Sequence, residues 1–538
     1  MKLTSEGLQD RDAWEAAGVR LPDYDWKKAA AETKKAPVWV HFGSGSLFRG
    51  FMARLQQTLL EQGLATSGVI TADTFDFGII DQIYDPFDNL ALMVTLNPDG
   101  SLEKEIVASV AEALRAGRDY PEDLNRLKEI FRSPSLQMLT FTITEKGYAL
   151  KNMQNQFFPF VEADFENGPQ KCSHAMSMIT SLLLERFHAG AFPLAVCSTD
   201  NCSHNGEKLR GSVMTVAEKW LEKGFVSPEF IAWVSNENFV SFPWSMIDKI
   251  TPRPAKVVEE MLAANGIEGM APIVTSKNTF IAPFVNAEKP QYLVIEDRFP
   301  NGRPPLEKAG VYLTDRETVN NAEKMKVSTC LNPLHTALAV YGCLLGYTSI
   351  AEEMKDSQLK ALVEHIGYDE GMPVVVDPGI LSPMDFIHEV VDERLPNPFI
   401  PDTPQRIATD TSQKVAIRFG ETIKSYAVRP DLNVSSLTFI PLAISGWLRY
   451  LLGMDDNGSP IEISSDPMLD QLQQQLKGVT LGKPDSLGDK LKPILSNAVL
   501  FGSDLTALGL DEKIQRMMQE LIAGPGAVRA TLKQYLKN

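Results

Sequence analysis

Cysteine and long apolar runs are scarce in this sequence. Its five cysteines are odd in number and form no C-x-x-C pair, which argues against a disulfide framework and a structural zinc site. Apolar stretches such as FIPLAISGWLRYLLG are shorter than the ~20 residues that a membrane-spanning helix needs. The polar start, MKLTSEGLQDRDAWEAAG, has no apolar segment typical of a signal peptide. We therefore expect a cytoplasmic protein with no bound metal and no membrane association.

Basic residues are also fewer than acidic residues. The chain has 52 Lys and Arg residues against 69 Asp and Glu residues, a formal net charge of −17 at pH 7. Nucleic-acid binding needs a concentrated basic surface, so we expect no nucleic-acid partner. An anionic small-molecule substrate would require its own basic pocket. The length, 538 residues, exceeds the size at which one hydrophobic core stops growing, which predicts at least two domains.

The first half of the chain alternates between strand and helix patterns. The apolar run from Val38 to Phe42 ends at Gly43, and apolar residues then recur at helical spacing. Further strands are predicted in SGVITADTFD, LALMVTL, LQMLTFTITEKGY, FPLAVCSTDN and FIAWVSNENFVSFP. Helices are predicted between them in KEIVASVAEALRAG and SMITSLLLERFHAG. This alternation predicts a doubly wound, mostly parallel sheet of the Rossmann type.

From about residue 316 helical patterns dominate, for example in TALAVYGCLLGYTSIAEEM and LTFIPLAISGWLRYLLG. We therefore predict three parts: a leader at 1–36, a Rossmann-type NAD-binding α/β domain at 37–315, and a mostly α-helical substrate and catalytic domain at 316–538.

The stretch HFGSGSLFRG is the candidate dinucleotide-binding turn. Gly43 and Gly45 follow a strand and precede a helix, where backbone N–H groups can approach a pyrophosphate. The third glycine of the usual pattern is absent, and Phe48 and Arg49 occupy that region. Arg49 could pair with a phosphate. The alternative is a tight strand–helix turn without a ligand.

An acidic residue ends the next predicted strand. Asp73 can accept from a ribose hydroxyl and would repel a 2′-phosphate, which favours NAD over NADP. Asp76 is the alternative residue for this role.

A proline and three polar residues interrupt the helical pattern of KMKVSTCLNPLHTALAVYG. Asn332 and His335 are three apart and share a helix face, whereas Lys326 on a regular helix would point elsewhere. Pro333 disfavours a regular helix, so we expect a local bulge that turns Lys326 towards the other two. The alternative is a histidine buried in a core.

Two other groups are candidates for substrate contact. Asn201 follows a predicted strand and could donate to a substrate oxygen, or it could cap the next helix. Lys249, Arg406 and Lys414 could bind an anionic group, although basic residues on loops are usually solvated.

An ordered series of motifs resembles the polyol-specific long-chain dehydrogenase family, which includes mannitol 2-dehydrogenase, fructuronate reductase and tagaturonate reductase. The resemblance covers roughly residues 37 to 450. The motifs, in order, are GSGSLFRG, TITEKGY, STDNCSHNG, FPWSMIDKITP, YLVIEDRFPNGRP, KVSTCLNPLH and RIATDTSQK.

The resemblance implies a role for each matching residue, without zinc. Lys326 would be the general acid/base, Asn332 and Asn201 would donate to the reacting oxygen, and His335 would orient the lysine and the substrate. Glu323 would serve proton passage. The implied substrate-site residues are Asp248, Lys249, Arg406 and Lys414.

This chain departs from the family pattern at two points. The family usually places its lysine four residues from the asparagine, where this chain has five residues between them, and it usually has glycine where this chain has Pro333. Lys324 is therefore an alternative acid/base.

The implied reaction interconverts a sugar acid and its keto form: D-mannonate + NAD = D-fructuronate + NADH. Altronate oxidation (tagaturonate reductase) and mannitol 2-dehydrogenation are alternatives, and a catalytically inactive dinucleotide-binding protein is an alternative of another class. We expect a sugar acid or polyol as the small-molecule partner, and a monomer or weak homodimer.

Overall fold

The computed structural model describes residues 1–152 and 154–536. The chain divides into two compact units. The first comprises residues 1–97 and 101–320, and the second comprises residues 98–100 and 321–538. In the part of the chain that the structure describes, every strand belongs to the first unit.

The strands lie in chain order as follows: β1 (Val19–Arg20), β2 (Trp39–Phe42), β3 (Val69–Asp73), β4 (Ala91–Leu96), β5 (Leu102–Val107), β6 (Val110–Arg115), β7 (Met138–Phe141), β8 (Leu194–Ser198), β9 (Val240–Ser241), β10 (Ser245–Asp248), β11 (Ile273–Val274), β12 (Phe280–Ile281), β13 (Phe284–Glu288), β14 (Tyr292–Glu296) and β15 (Tyr312–Thr314).

A six-stranded sheet forms the centre of the first unit. Its order is β6-β3-β2-β7-β8-β9, and every neighbouring pair is parallel. The chain enters this sheet in the middle at β2. It adds β3 and β6 on one side and then β7, β8 and β9 on the other. This is the doubly wound order with a topological switch point beside the first strand. The predicted Rossmann-type domain followed by a helical domain is confirmed.

The helices of the first unit are α1 (Arg11–Ala16), α2 (Trp26–Lys35), α3 (Ala53–Glu61), α4 (Pro121–Arg132), α5 (Thr144–Tyr148), α6 (Pro159–Asn167), α7 (Ala175–Gly190), α8 (Asn205–Glu222), α9 (Pro228–Ser235) and α10 (Lys256–Ala264). Residues of β2 alternate between two cores. Val40 and Phe42 pack into one core with Trp220, and Trp39 packs into the other with Phe51. Burial on both faces explains why the central strands are continuously apolar.

Three smaller sheets complete this unit, in the orders β1-β5-β4-β13, β10-β14-β15 and β11-β12. The segment 1–36, which we described as a leader, belongs to the same compact unit. Its strand β1 pairs in parallel with β5, and its Leu3 and Trp14 side chains are fully buried.

Two segment predictions were wrong. KEIVASVAEALRAG was predicted as a helix, but it contains the end of β5 and the whole of β6. FIAWVSNENFVSFP was predicted as a strand, but it begins inside α9 and contributes only the two-residue β9. In the first case, pairing of β6 with β3 outweighs the helix propensity of Ala, Glu and Leu. In the second, Pro228 at the first helical position starts a helix.

The second unit is helical. Its helices, the first of which contains the division at residue 320, are α11 (Arg316–Met325), α12 (Asn332–Leu345), α13 (Ile350–Glu353), α14 (Ser357–Glu364), α15 (Pro383–Glu389), α16 (Pro404–Ile407), α17 (Glu421–Val428), α18 (Phe439–Tyr450), α19 (Leu469–Gln475), α20 (Lys492–Leu495), α21 (Ala498–Phe501), α22 (Asp511–Leu521) and α23 (Ala527–Tyr535). The helix α12 is almost wholly buried and packs against α16 and α18.

Single π-helical turns interrupt several helices. In the second unit they are Lys326–Cys330, His365–Gly371, Val390–Arg394 and Ala416–Gly420, and in the first they are Phe48–Met52 and Ile80–Tyr84. Such turns are frequent at functional sites. Among the described residues, no helix is both long and apolar enough to cross a membrane.

Candidate active site

The glycine turn after β2 has one glycine that the backbone requires and one that it does not. Gly43 has φ +108°, and a Cβ there would lie 2.2 Å from the carbonyl oxygen of Thr142. Only glycine tolerates that conformation and that approach. A Cβ on Gly45 would meet no heavy atom within 4 Å. The space above Gly45 therefore fits a ligand that approaches the backbone closely, as a dinucleotide pyrophosphate does.

Gly45→Ala is therefore expected to leave the thermal stability unchanged and to raise KM for NAD about tenfold, or about 1.4 kcal/mol of binding energy. The cause would be a methyl group in space that the protein itself leaves open. Gly43→Ala is the control, and we expect it to destabilise the fold by at least ~1–3 kcal/mol through strain. Paired measurements of melting temperature and NADH binding distinguish the two effects. Unchanged NADH binding in Gly45→Ala would contradict the predicted role of this turn.

A buried histidine holds the turn in place. His41 Nδ1 lies 2.7 Å from Thr140 Oγ1 and its Nε2 lies 2.8 Å from Thr142 Oγ1, while its ring stacks on Phe48 at 4.4 Å. Burial lowers the pKa of His41 to about 3, so the ring is neutral at pH 7. Thr142 Oγ1 in turn donates to the carbonyl of Gly43. We did not identify His41 from the sequence, although a histidine within an apolar strand was a usable signal.

The two residues after the turn are both buried. Phe48 is in contact with His41, as described above. The Nη1 group of Arg49 donates to the carbonyls of Ala282 and Pro283 at 2.8 and 3.3 Å. Its Nε and Nη2 atoms have no hydrogen-bond partner in the described chain. Burial lowers the pKa of Arg49. The guanidinium thus connects the π-helical turn Phe48–Met52 to the segment before β13. Its contact with a phosphate stays a prediction.

Asp73 lies where a ribose-binding carboxylate is expected, at the carboxyl end of β3. Its Oδ1 accepts from the backbone N–H groups of Phe75 and Asp76, and its Oδ2 accepts from that of Ser44 at 3.2 Å. Burial raises its pKa, against the effect of these three bonds. A carboxylate has about four acceptor positions, so one is left for a hydroxyl. The alternative, Asp76, is also buried; its Oδ2 accepts from Thr275, and its Oδ1 has no hydrogen-bond partner in the described residues, so it stays an alternative.

The loop after β8 is fixed by Asp200. Its carboxylate accepts from the N–H groups of Ile143 and Thr144, both at 2.9 Å, and from the hydroxyl of Tyr148 at 2.6 Å. Asn201 follows and is exposed. The helix α8 begins four residues later with His204 as its N-cap residue, so Asn201 does not cap that helix. Its role as a donor to a substrate oxygen stays a prediction.

Asp248 and Lys249 lie at the end of β10. Asp248 is buried, and the Lys249 ammonium donates to the carbonyl of Glu288. Lys249 also lines a cavity of about 590 Å³, which Arg54 and Lys289 line as well. Their contact with substrate stays a prediction.

The interruption near Pro333 is a π-helical turn followed by a new helix. The helix α11 ends at Met325, the π turn takes Lys326–Cys330, and Leu331 leaves helical geometry with φ −130° and ψ −61°. Pro333 then lies in the first turn of α12, where its missing N–H breaks no hydrogen bond. The expected bulge thus precedes the proline, and the helix that we pictured as continuous is two helices.

This turn places the two candidate lysines in different environments. Lys326 is buried at 1% exposure, whereas Lys324 is exposed. Glu323, the predicted proton-passage residue, is half-buried and three residues before Lys326. Of the two lysines, only Lys326 is sheltered from bulk water, as a group that exchanges protons with a bound substrate should be.

His335 contacts an acidic residue without forming an ion pair. Its Nε2 lies 3.4 Å from Asp402 Oδ2, but it has no hydrogen-bond partner in the described residues. Burial lowers the pKa of His335 to about 4, against the opposite effect of Asp402. The imidazole is therefore neutral at pH 7. Asp402 is bound instead by the guanidinium of Arg406, whose side chain is 62% exposed.

Lys414 and Arg418 stand one helical turn apart. The Lys414 ammonium donates to the carbonyl of Thr409, and Arg418 Nη1 donates to Thr336 Oγ1 on α12. Burial lowers the pKa of Lys414, and it lowers that of Arg418 to about 10. We did not identify Arg418 from the sequence, although its position four residues after Lys414 was a signal.

Within residues 1–152 and 154–536 there is no group of three or more His, Cys, Asp or Glu side chains arranged to hold a metal ion.

Comparison with known families covers nearly the whole chain. The family model for the mannitol dehydrogenase Rossmann domain matches residues 37–308, and that for the mannitol dehydrogenase C-terminal domain matches residues 318–522. The chain belongs to the mannitol dehydrogenase family. The predicted family is therefore confirmed.

Individual relatives extend over its full length. A D-mannonate oxidoreductase of Thermotoga maritima is 54% identical over 538 residues, which is 100% of this chain and 99% of that protein. A polyol:NADP oxidoreductase of Gluconobacter oxydans is 28% identical, covering 93% of this chain and 94% of that protein. The solved structure of Pseudomonas fluorescens mannitol 2-dehydrogenase, a ternary complex with NAD and D-mannitol, is 25% identical with a TM-score of 0.72, covering 100% of both chains.

Proposed function

We propose that this member of the mannitol dehydrogenase family is an NAD-dependent oxidoreductase that interconverts D-mannonate and D-fructuronate. The observation that carries the proposal is the 54% identity, over the whole chain, to a D-mannonate oxidoreductase. The identity to the polyol enzyme of Gluconobacter oxydans and to the Pseudomonas fluorescens mannitol 2-dehydrogenase is much lower, at 28% and 25%.

The first unit offers a suitable place for the cofactor. The open space above Gly45 suits a pyrophosphate, and the remaining acceptor position of Asp73 suits a ribose hydroxyl. The carboxylate of Asp73 would repel a 2′-phosphate, which supports NAD as the cofactor. The Gluconobacter oxydans relative, by contrast, is named as an NADP enzyme. NAD, when bound, supplies the two-electron acceptor.

Lys326 would take the proton from the hydroxyl that is oxidised and return it in the reverse direction. The side-chain amide of Asn332 would donate to the same oxygen, where preorganised donors typically contribute a few kcal/mol each. The neutral imidazole of His335 would orient the substrate. Glu323 would pass the proton onwards, and Asn201 keeps its predicted role as a second donor.

Steady-state assays of NADH formation test the substrate. We expect kcat/KM for D-mannonate to exceed that for D-altronate and for D-mannitol, and NAD to be preferred to NADP. Robust turnover of D-mannitol alone would overturn the proposal in favour of a mannitol 2-dehydrogenase. Turnover of none of the three, with intact NADH binding, would favour the inactive dinucleotide-binding protein.

A cytoplasmic location and a monomeric or weakly dimeric state belong to the same proposal. Light scattering coupled to size-exclusion chromatography, across a range of protein concentrations, tests the second point.

A further inference from the structure

Arg418 is a half-buried cation with no anionic partner in the described chain. Its hydrogen bond goes to the neutral hydroxyl of Thr336. Burial lowers the pKa of Arg418 to about 10, with no acidic group of the described chain opposing it. Proteins seldom bury a charge without pairing it. An anion that arrives with a ligand would supply the missing partner.

The neighbouring charges add to this excess. Lys414 is four residues before Arg418, and Arg418 and Arg406 both lower its pKa, in addition to the effect of burial. Asp410 and Asp466 oppose them, but less strongly than burial and Arg418. Lys414 itself donates to a backbone carbonyl rather than to a carboxylate.

The same cationic group extends to His335. Arg418 and Arg406 both lower the pKa of His335, and Asp402 raises it. Asp402 is already bound by Arg406. Arg418 is therefore the cation of this pair for which the described residues offer no carboxylate.

The position of Arg418 relates it to the proposed reaction. Thr336, its hydrogen-bond partner, directly follows His335 on α12. A six-carbon sugar acid carries its carboxylate several bonds away from the carbon that is oxidised. A carboxylate site should thus lie beside the residues that orient the substrate rather than on the acid/base itself.

We propose that Arg418, beside Lys414 of the expected substrate site, binds the carboxylate of the sugar acid and thereby selects acids over neutral polyols. A planar guanidinium suits a carboxylate, with which it forms two parallel hydrogen bonds. The proposal rests on the proposed function, because it assigns the substrate's charged end to a residue.

The test compares a charged and a neutral substrate in two variants. Arg418→Gln is expected to lower kcat/KM for D-mannonate roughly 100-fold, mostly through KM, since charge-assisted bonds are the strong ones. Any turnover of D-mannitol should change by less than about threefold. Arg418→Lys should recover part of the loss. D-mannonate should raise the melting temperature of the NADH-bound wild type but not of NADH-bound Arg418→Gln.

Arg429→Gln is the matched control, because Arg429 lies at the end of α17, is exposed and is paired with Asp431. It should behave as wild type. Equal losses on D-mannonate and D-mannitol, or no loss on D-mannonate, would overturn the assignment while leaving the proposed function intact. A wild-type enzyme that fails to oxidise D-mannonate would overturn both.

Discussion

Lys326→Met is expected to lower kcat for D-mannonate oxidation roughly a thousandfold, within the range of about 10²–10⁴ that general acid–base catalysis contributes. Methionine keeps much of the buried volume of Lys326 but cannot accept a proton. The affinity for NADH should be unchanged, because the residues that fit the cofactor lie on the glycine turn and at Asp73. Stopped-flow or steady-state kinetics with an NADH-binding titration measure both quantities.

Lys324→Met is the control for this experiment. Lys324 is two residues away, exposed at the end of α11, and its backbone carbonyl accepts from Ser328 Oγ at 2.5 Å. Residues two apart on a helix point to different sides, so this variant should keep wild-type kinetics. The reverse result, a large loss in Lys324→Met and none in Lys326→Met, would transfer the acid/base role to Lys324.

The sheet could be predicted from sequence where local pattern and tertiary environment agree. Trp39–Phe42 is a strand that is buried on both faces, and Gly43 ends it because no other residue fits its φ of +108°. Helix propensity gave the wrong prediction at residues 104–117, where pairing of β6 with β3 decides the structure. Such pairing is a property of the whole fold and leaves little trace in a local window.

Part of the candidate site could also be predicted. Pro333 indicated an irregular helix, and a π turn is present beside it. The contacts of Arg418 and His41 could not be derived in the same way. Arg418 reaches Thr336, 82 residues earlier, and His41 reaches threonines about 100 residues later. Contacts at that separation depend on how helices and strands pack, which periodicity does not contain.

The buried carboxyl group of Glu353 should make the stability of the protein depend on pH. Its side chain, on α13, is fully buried, and neither carboxylate oxygen has a hydrogen-bond partner in the described residues. A Cβ on Gly342 would lie 2.0 Å from Glu353 Oε1, so that glycine makes the space for the carboxyl group. Burial, and to a smaller extent Asp356, raises the pKa of Glu353 to about 9. The carboxyl is therefore protonated in the folded protein at pH 7.

The sign of the pH dependence follows from the two states. An unfolded glutamate titrates near 4.5, so between about pH 4.5 and 9 the folded state holds a proton that the unfolded state has lost. Stability should therefore fall as the pH rises through this window, by on the order of 1 kcal/mol per pH unit from this residue. Above about pH 9 both states are ionised and the loss is complete.

Glu353→Gln is expected to remove this contribution, because the amide has a similar shape and no charge at any pH. The variant should gain stability relative to wild type as the pH rises from about 5 to 9, which melting temperatures measured across that range would show. Glu352→Gln is the matched control, since Glu352 is the preceding residue, is exposed and is paired with Lys355. Parallel pH profiles for wild type and Glu353→Gln would mean that the buried carboxyl is solvated or paired, and the raised pKa would be wrong.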